Sequence, residues 1–70
     1  MDLESLRLEL IKQGIYPQVL ATADGWECTL WCGIGWKGTI PKGFGATAVA
    51  AVQAAMVDRN SILDSRKRAG

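Results

Sequence analysis

The segment of residues 44–57 contains no charged side chain and is rich in alanine and valine. A helix that is apolar on nearly every side has to be covered on more than one side. Alanine also lets another backbone approach closely. The segment therefore predicts a helix that lies on a sheet with a second helix beside it, and a chain of 70 residues forms one such small domain.

Three strand-like runs precede this helix, at residues 18–22, 26–32 and 36–40. Alternation places Trp26, Cys28, Leu30 and Cys32 on one face of the second run, and Trp36 and Ile40 face the same way from the third. An Asp24-Gly25 pair predicts a tight hairpin between the first two strands, because such turns need positive φ angles. We expect Trp26, Trp36 and Ile40 to lie in the core.

Helices are predicted at both ends of the chain. The first covers residues 3–13, with Asp2 as its N-cap and Gly14 as its stop. Residues 41–45 read as a loop, and the second helix covers residues 46–59 until Asn60 and Ser61 interrupt it.

This order predicts an α+β fold with the sequence α-β-β-β-α: a three-stranded antiparallel sheet with two helices on one face and solvent on the other. Residues 1–60 form the single domain. Residues 61–70 are a basic tail that could be partly helical.

Composition argues against catalysis and against a metal or other cofactor. The chain has no histidine and two cysteines, whereas a structural zinc site takes four Cys or His ligands. On one strand Cys28 and Cys32 would stand about 13 Å apart, beyond the roughly 7 Å that a disulfide spans. We expect buried, reduced thiols in a cytoplasmic protein, because the acidic start lacks the basic region of a signal peptide and no apolar run reaches membrane-span length.

The element order and residues 38–56, a glycine-bearing strand followed by an alanine-rich helix, resemble the double-stranded RNA-binding domain. The resemblance implies this fold and RNA binding through a loop histidine and lysines at the start of the second helix. This chain has no histidine, and the matching lysine positions hold Gly45, Ala46 and Thr47. Duplex recognition depends on phosphate contacts from basic side chains, so the fold is the firmer part of the expectation.

A second set of residues resembles the HicB family of small antitoxins. Tyr16-Pro17 and Asp24-Gly25-Trp26 precede a strand and an alanine-rich helix, as in that family. This resemblance implies a dimer that blocks a partner toxin. The family usually lacks the leading helix predicted here.

Trp31 is the first candidate site residue. In the predicted register it lies on the solvent face of the sheet with Thr29, Lys37 and Thr39, where it could anchor a protein partner or stack on a base. The alternative is a one-residue bulge that buries Trp31.

A second candidate site would hold phosphate at the start of the second helix, where free N–H groups attract anions. Its residues are Lys42, Gly43, Gly45 and Thr47, together with Arg66, Lys67 and Arg68 of the tail. The alternatives are a plain connecting loop and a solvated terminus.

These observations favour a small non-catalytic binding protein of bacterial or phage type that docks its exposed sheet on another macromolecule, with a protein partner favoured. One alternative is a nucleic-acid-binding module that uses Lys37, Lys42 and the basic tail, and another is an antitoxin-like inhibitor. A homodimer is as consistent with the sequence as a monomer. Leu8 lies off the apolar stripe of the first helix, and we expect no disulfide or metal site to stabilise so short a chain.

Overall fold

The computed structural model describes residues 2–31 and 40–69, the last four by their backbone only. The elements in chain order are α1 (Leu3–Lys12), β1 (Tyr16–Thr22), β2 (Gly25–Trp31), β3 (Lys42–Gly45) and α2 (Ala48–Ala69). The strands form one antiparallel sheet in the order β1-β2-β3. The predicted α+β fold and its α-β-β-β-α order are confirmed.

Local signals set the limits of α1. The Asp2 carboxylate accepts a hydrogen bond of 2.8 Å from the Ser5 amide, which makes Asp2 the N-cap. This bond holds the pKa of Asp2 below its ordinary value. At the other end Gly14 has a φ of 78°, a backbone conformation that residues with a Cβ rarely adopt. Both predicted ends of this helix are confirmed to within one residue.

The β1–β2 hairpin has a two-residue turn, Ala23-Asp24, between the paired residues Thr22 and Gly25. Gly25 has a φ of 143°, whereas neither turn residue has a positive φ. The predicted hairpin is therefore present, but Gly25 alone supplies the positive φ angle and it does so from the first position of β2.

The prediction for the third strand was wrong in position. It was expected at residues 36–40, with a loop at residues 41–45, but β3 occupies Lys42–Gly45. Ile40 precedes the strand and is exposed rather than core, while residues 36–39, with Trp36, lie outside the described residues. Glycine is a poor strand former by itself, but packing against a neighbouring element decides strand formation in context.

Helix α2 continues through Asn60 and Ser61 to Ala69, so the predicted interruption was wrong. Asn and Ser cost a few tenths of a kcal/mol relative to alanine in a helix interior. Once a helix is nucleated, each further residue adds a hydrogen bond at little extra cost. Residues 61–69, predicted to belong to a tail that could be partly helical, are therefore the last part of α2.

The core lies between the two helices and one face of the sheet. It consists of Leu6, Leu10, Ile15, Cys28, Leu30, Ala51, Val52 and Ala55. Burial raises the pKa of the Cys28 thiol to about 11, so this side chain is neutral at ordinary pH. Trp26 was expected in the core but is 36% exposed. It is the second residue of β2, at the hairpin end of the sheet, where the helices begin.

Neither helix is both long enough and apolar enough to cross a membrane within the part of the chain that the structure describes.

Candidate interaction face

The sheet face opposite the helices, called the open face below, carries the candidate site. Strand alternation and the pairing register place its residues in three rows across the sheet. The rows are Tyr16 and Trp31; Gln18, Thr29 and Lys42; and Leu20, Glu27 and Phe44. A polar row thus lies between two rows with large apolar side chains.

Four large side chains of the open face are accessible to solvent. Phe44 is 66% exposed, Tyr16 56%, Leu20 49% and Trp31 46%. Single apolar residues scattered over a protein surface are normal. Here four large side chains share one uncovered face, in two rows on either side of the polar row, which makes this face the candidate binding surface. The exposure predicted for Trp31 is confirmed, and the alternative in which a bulge buries it is excluded.

The Trp31 indole is held in one orientation. Its Nε1–H donates a hydrogen bond of 2.9 Å to Oε1 of Gln18, which lies on the neighbouring strand and on the same face. Tyr16 pairs directly opposite Trp31, at a distance where cross-strand side chains touch. The ring therefore keeps an exposed apolar surface while its single polar atom is already bonded.

Thr29 was expected to be accessible on this face, but it is only 9% exposed. Its place is the central strand, between Gln18 on β1 and Lys42 on β3. The longer side chains of these two cross-strand neighbours flank its short one. Lys37 and Thr39, the other two expected residues, lie outside the described residues.

The glycines of the predicted phosphate loop have a packing role instead. Gly43 is buried under α2, and a Cβ placed there would lie 2.5 Å from the Ala51 carbonyl oxygen. A Cβ on Gly45 would lie 2.7 Å from the Ala51 nitrogen. Both positions face the helix, so their backbones do not line an open anion cradle. The predicted loop at residues 41–45 was wrong because residues 42–45 form a strand, whereas phosphate contact at Gly43 and Gly45 stays a prediction.

Thr47 and Lys42 are separated by the fold. Thr47 caps α2, with its Oγ1 accepting a hydrogen bond of 3.1 Å from the Ala50 amide. The amide of Lys42 instead donates to Asp58 at 3.0 Å. Asp58 lies ten residues beyond the start of α2, about 15 Å along the helix axis. Lys42 is therefore next to the middle of α2, and not at the end where an anion would bind.

Arg66, Lys67 and Arg68 are in the last part of α2. The structure describes their backbone only, so their expected phosphate contacts remain a prediction.

The large exposed apolar residues Tyr16, Leu20 and Phe44 of the open face were missed from the sequence, as was Gln18, the hydrogen-bond partner of Trp31. The alternation of β1 was a usable signal, since Tyr16, Gln18 and Leu20 share a period of two. Phe44 could not be found this way because its segment was read as a loop. Only the pairing of Phe44 with Glu27 places it on this face.

The opposite face of the sheet has a cleft of about 470 Å³ where the two helices begin. Its lining residues are Leu3, Arg7, Pro17, Gln18, Val19, Trp26 and Ala48. This explains the partial exposure of Trp26. Arg7 is 3.6 Å from Glu4, so the one cation of the cleft already has a partner.

The described residues contain no group of three or more His, Cys, Asp or Glu that could hold a metal ion. No family model, curated protein or solved structure matches this chain.

Proposed function

We propose that this chain is a small non-catalytic docking protein whose open face binds another protein. The observation that carries the proposal is the group of four accessible large side chains, Tyr16, Leu20, Trp31 and Phe44, on one uncovered sheet face. Aromatic residues are enriched at protein interfaces and supply most hot spots. A reducing, cytoplasmic setting in a bacterium or phage belongs to the same proposal, in keeping with the free thiol of Cys28.

The geometry of Trp31 suits it as the anchor of such a contact. The hydrogen bond to Gln18 restricts the ring before any partner arrives. A side chain that is already ordered loses less conformational entropy on binding. The bond also leaves the indole nitrogen satisfied when water is removed from the interface.

The charge on the open face favours a protein over a nucleic acid. Among the face residues that the structure describes, Lys42 and Glu27 are the charged ones, and their charges cancel. Nucleic-acid binding depends on several cations that displace counterions from phosphates. The aromatic side chains could stack on bases, but among the described residues of this face only Lys42 is a cation that could hold a phosphate backbone.

A binding experiment with three variants tests the proposal. The wild-type chain is immobilised and used to capture partners from bacterial lysate, and the captured protein is then purified and titrated. We expect Trp31→Ala and Phe44→Ala to weaken binding at least tenfold, a loss of about 1.4 kcal/mol or more. Val57→Ala is the matched control, because Val57 is equally apolar and 68% exposed but lies on α2. Its affinity should be unchanged.

Circular dichroism of each variant separates binding from folding. The reasoning fails if Trp31→Ala unfolds the domain, or if a folded Trp31→Ala binds as tightly as the wild type. A complex with duplex RNA or DNA that weakens steeply with salt, and that is lost when Lys42 and residues 66–68 are neutralised, would favour the nucleic-acid alternative. A captured enzyme that loses activity in the complex would favour the inhibitor alternative.

A further inference from the structure

The two edges of the sheet differ in how their backbone groups are satisfied. At the β3 edge the outward-pointing amide of Lys42 donates a hydrogen bond of 3.0 Å to the carboxylate of Asp58. This donor is therefore already paired with a side chain of α2. Charged side chains on an edge are a known protection against pairing with another strand. No such contact is present at β1 in the described part of the chain.

The outward groups of β1 follow from a hydrogen bond on β2. The Leu30 amide donates 3.0 Å to the Pro41 carbonyl, which lies on the β3 side. Leu30 and its partner Pro17 therefore form a non-hydrogen-bonded pair, and alternation makes Val19–Cys28 and Ala21–Trp26 the same kind of pair. The N–H and C=O groups of Val19 and Ala21, and the C=O of Pro17, thus point away from the sheet.

We propose that the β1 edge pairs antiparallel with the β1 edge of a second copy, around a two-fold axis at Val19, to give a six-stranded sheet. Val19 would exchange two hydrogen bonds with its counterpart across the axis. On each side of it the Ala21 amide would donate to the Pro17 carbonyl. The missing N–H of Pro17 then leaves only one acceptor unpaired per side, the Ala21 carbonyl.

The composition of β1 fits a second copy as the occupant. The strand YPQVLAT contains no charged side chain, so self-pairing brings no like charges together. The register places Gln18 opposite Leu20 and Tyr16 opposite Thr22, and all of these pairs are neutral. The same patch on both subunits is what a two-fold interface requires.

The small size of the domain is a physical reason for the pairing. A domain of 70 residues buries only about 60% of its unfolded surface, and small domains commonly add a partner subunit. Three strands of seven residues or fewer, spaced about 4.8 Å apart, present an open face well below the roughly 800 Å² per partner of a standard interface. Pairing would double that face. This last benefit rests on the proposed function, whereas the pairing itself does not.

Sedimentation and amide hydrogen exchange test the pairing on the full chain. We expect the molar mass of the wild type from sedimentation equilibrium to be twice the 7.5 kDa of one chain. The amides of Val19 and Ala21 should be protected from exchange and should lose that protection on dilution. The Leu20 amide bonds to β2 in either state, so it is the internal control and should stay protected.

Two substitutions at one position complete the experiment. Ala21→Pro removes an N–H that bonds only across the dimer axis, so we expect a folded monomer. Ala21→Val keeps the N–H and should remain a dimer. A wild type that is monomeric at about 1 mM would overturn the proposal, as would a natively folded Ala21→Pro dimer. If Ala21→Pro does not fold, fast exchange at Val19 and Ala21 beside a protected Leu20 in the wild type would overturn it instead. If a folded, monomeric Ala21→Pro variant loses affinity for the partner of the open face, both the pairing and the docking proposals stand. If Trp31→Ala loses that affinity while it remains a dimer, the result concerns the docking proposal alone.

Discussion

Gly43 decides whether β3 and α2 can lie against each other, and Gly43→Ala tests this directly. The new Cβ would lie 2.5 Å from the Ala51 carbonyl oxygen and 2.7 Å from the Ala54 carbonyl carbon. Ordinary contact between such atoms begins near 3.5 Å, so the helix and the strand would have to separate by about 1 Å. A gap of that size forfeits a quarter to a half of the dispersion attraction between the atoms it parts.

The expected loss is large relative to the stability of the domain. Overpacking a core costs typically about 1–3 kcal/mol, and here the clashing atoms belong to backbone and cannot rotate away. We therefore expect Gly43→Ala to lower the free energy of unfolding by about 3 kcal/mol or more. A domain of this length is stable by roughly 4–10 kcal/mol, so the melting temperature should fall by about 12 °C or more.

Urea unfolding followed by circular dichroism measures this difference. Gly14→Ala is the control, because Gly14 has a φ of 78° but nothing within 4 Å of an added Cβ. It should cost only the left-handed strain of about 1–2 kcal/mol. Adding Ala51→Gly to Gly43→Ala should not restore stability, since the clash is with the Ala51 carbonyl. A loss smaller than that of Gly14→Ala, or a rescue by Ala51→Gly, would refute the close approach and reopen the loop interpretation of residues 41–45.

Two further predictions concern the α2 cap and the buried thiol. Thr47→Ala should lower the free energy of unfolding by about 1 kcal/mol, whereas Thr47→Ser should not. Only the alanine variant lacks the side-chain oxygen that accepts the hydrogen bond from the Ala50 amide. Equal melting temperatures for the two variants would contradict this prediction. Burial raises the pKa of Cys28 to about 11 from its ordinary value of 9.0. Between these pH values the unfolded chain loses its thiol proton and the folded chain keeps it. Stability should then fall as pH rises through this window, on the order of 2–3 kcal/mol in total. The fall should be measurably shallower in Cys28→Ala, and equal slopes for the two proteins would contradict the assignment.

Helix α1, the start of α2 and the first hairpin could be predicted from the sequence because their signals are local, whereas the end of α2 could not. Asp2 and Gly14 set the two ends of α1, and Gly25 sets the turn of the hairpin, each through backbone within a few residues of itself. The inward position of Cys28 and Leu30 and the exposure of Trp31 follow from the period of two along one strand. That period is a covalent property of extended backbone and needs no partner strand.

The position of β3 and the content of the open face depended on tertiary contacts. Gly43 and Gly45 are loop signals by propensity, and only the backbone of α2 lying on them explains a strand there. Phe44 joins the face through its pairing with Glu27, and Thr29 is covered by neighbours from two other strands. Which side chains meet across strands depends on register, and register is set by the three-dimensional packing of elements far apart in the chain.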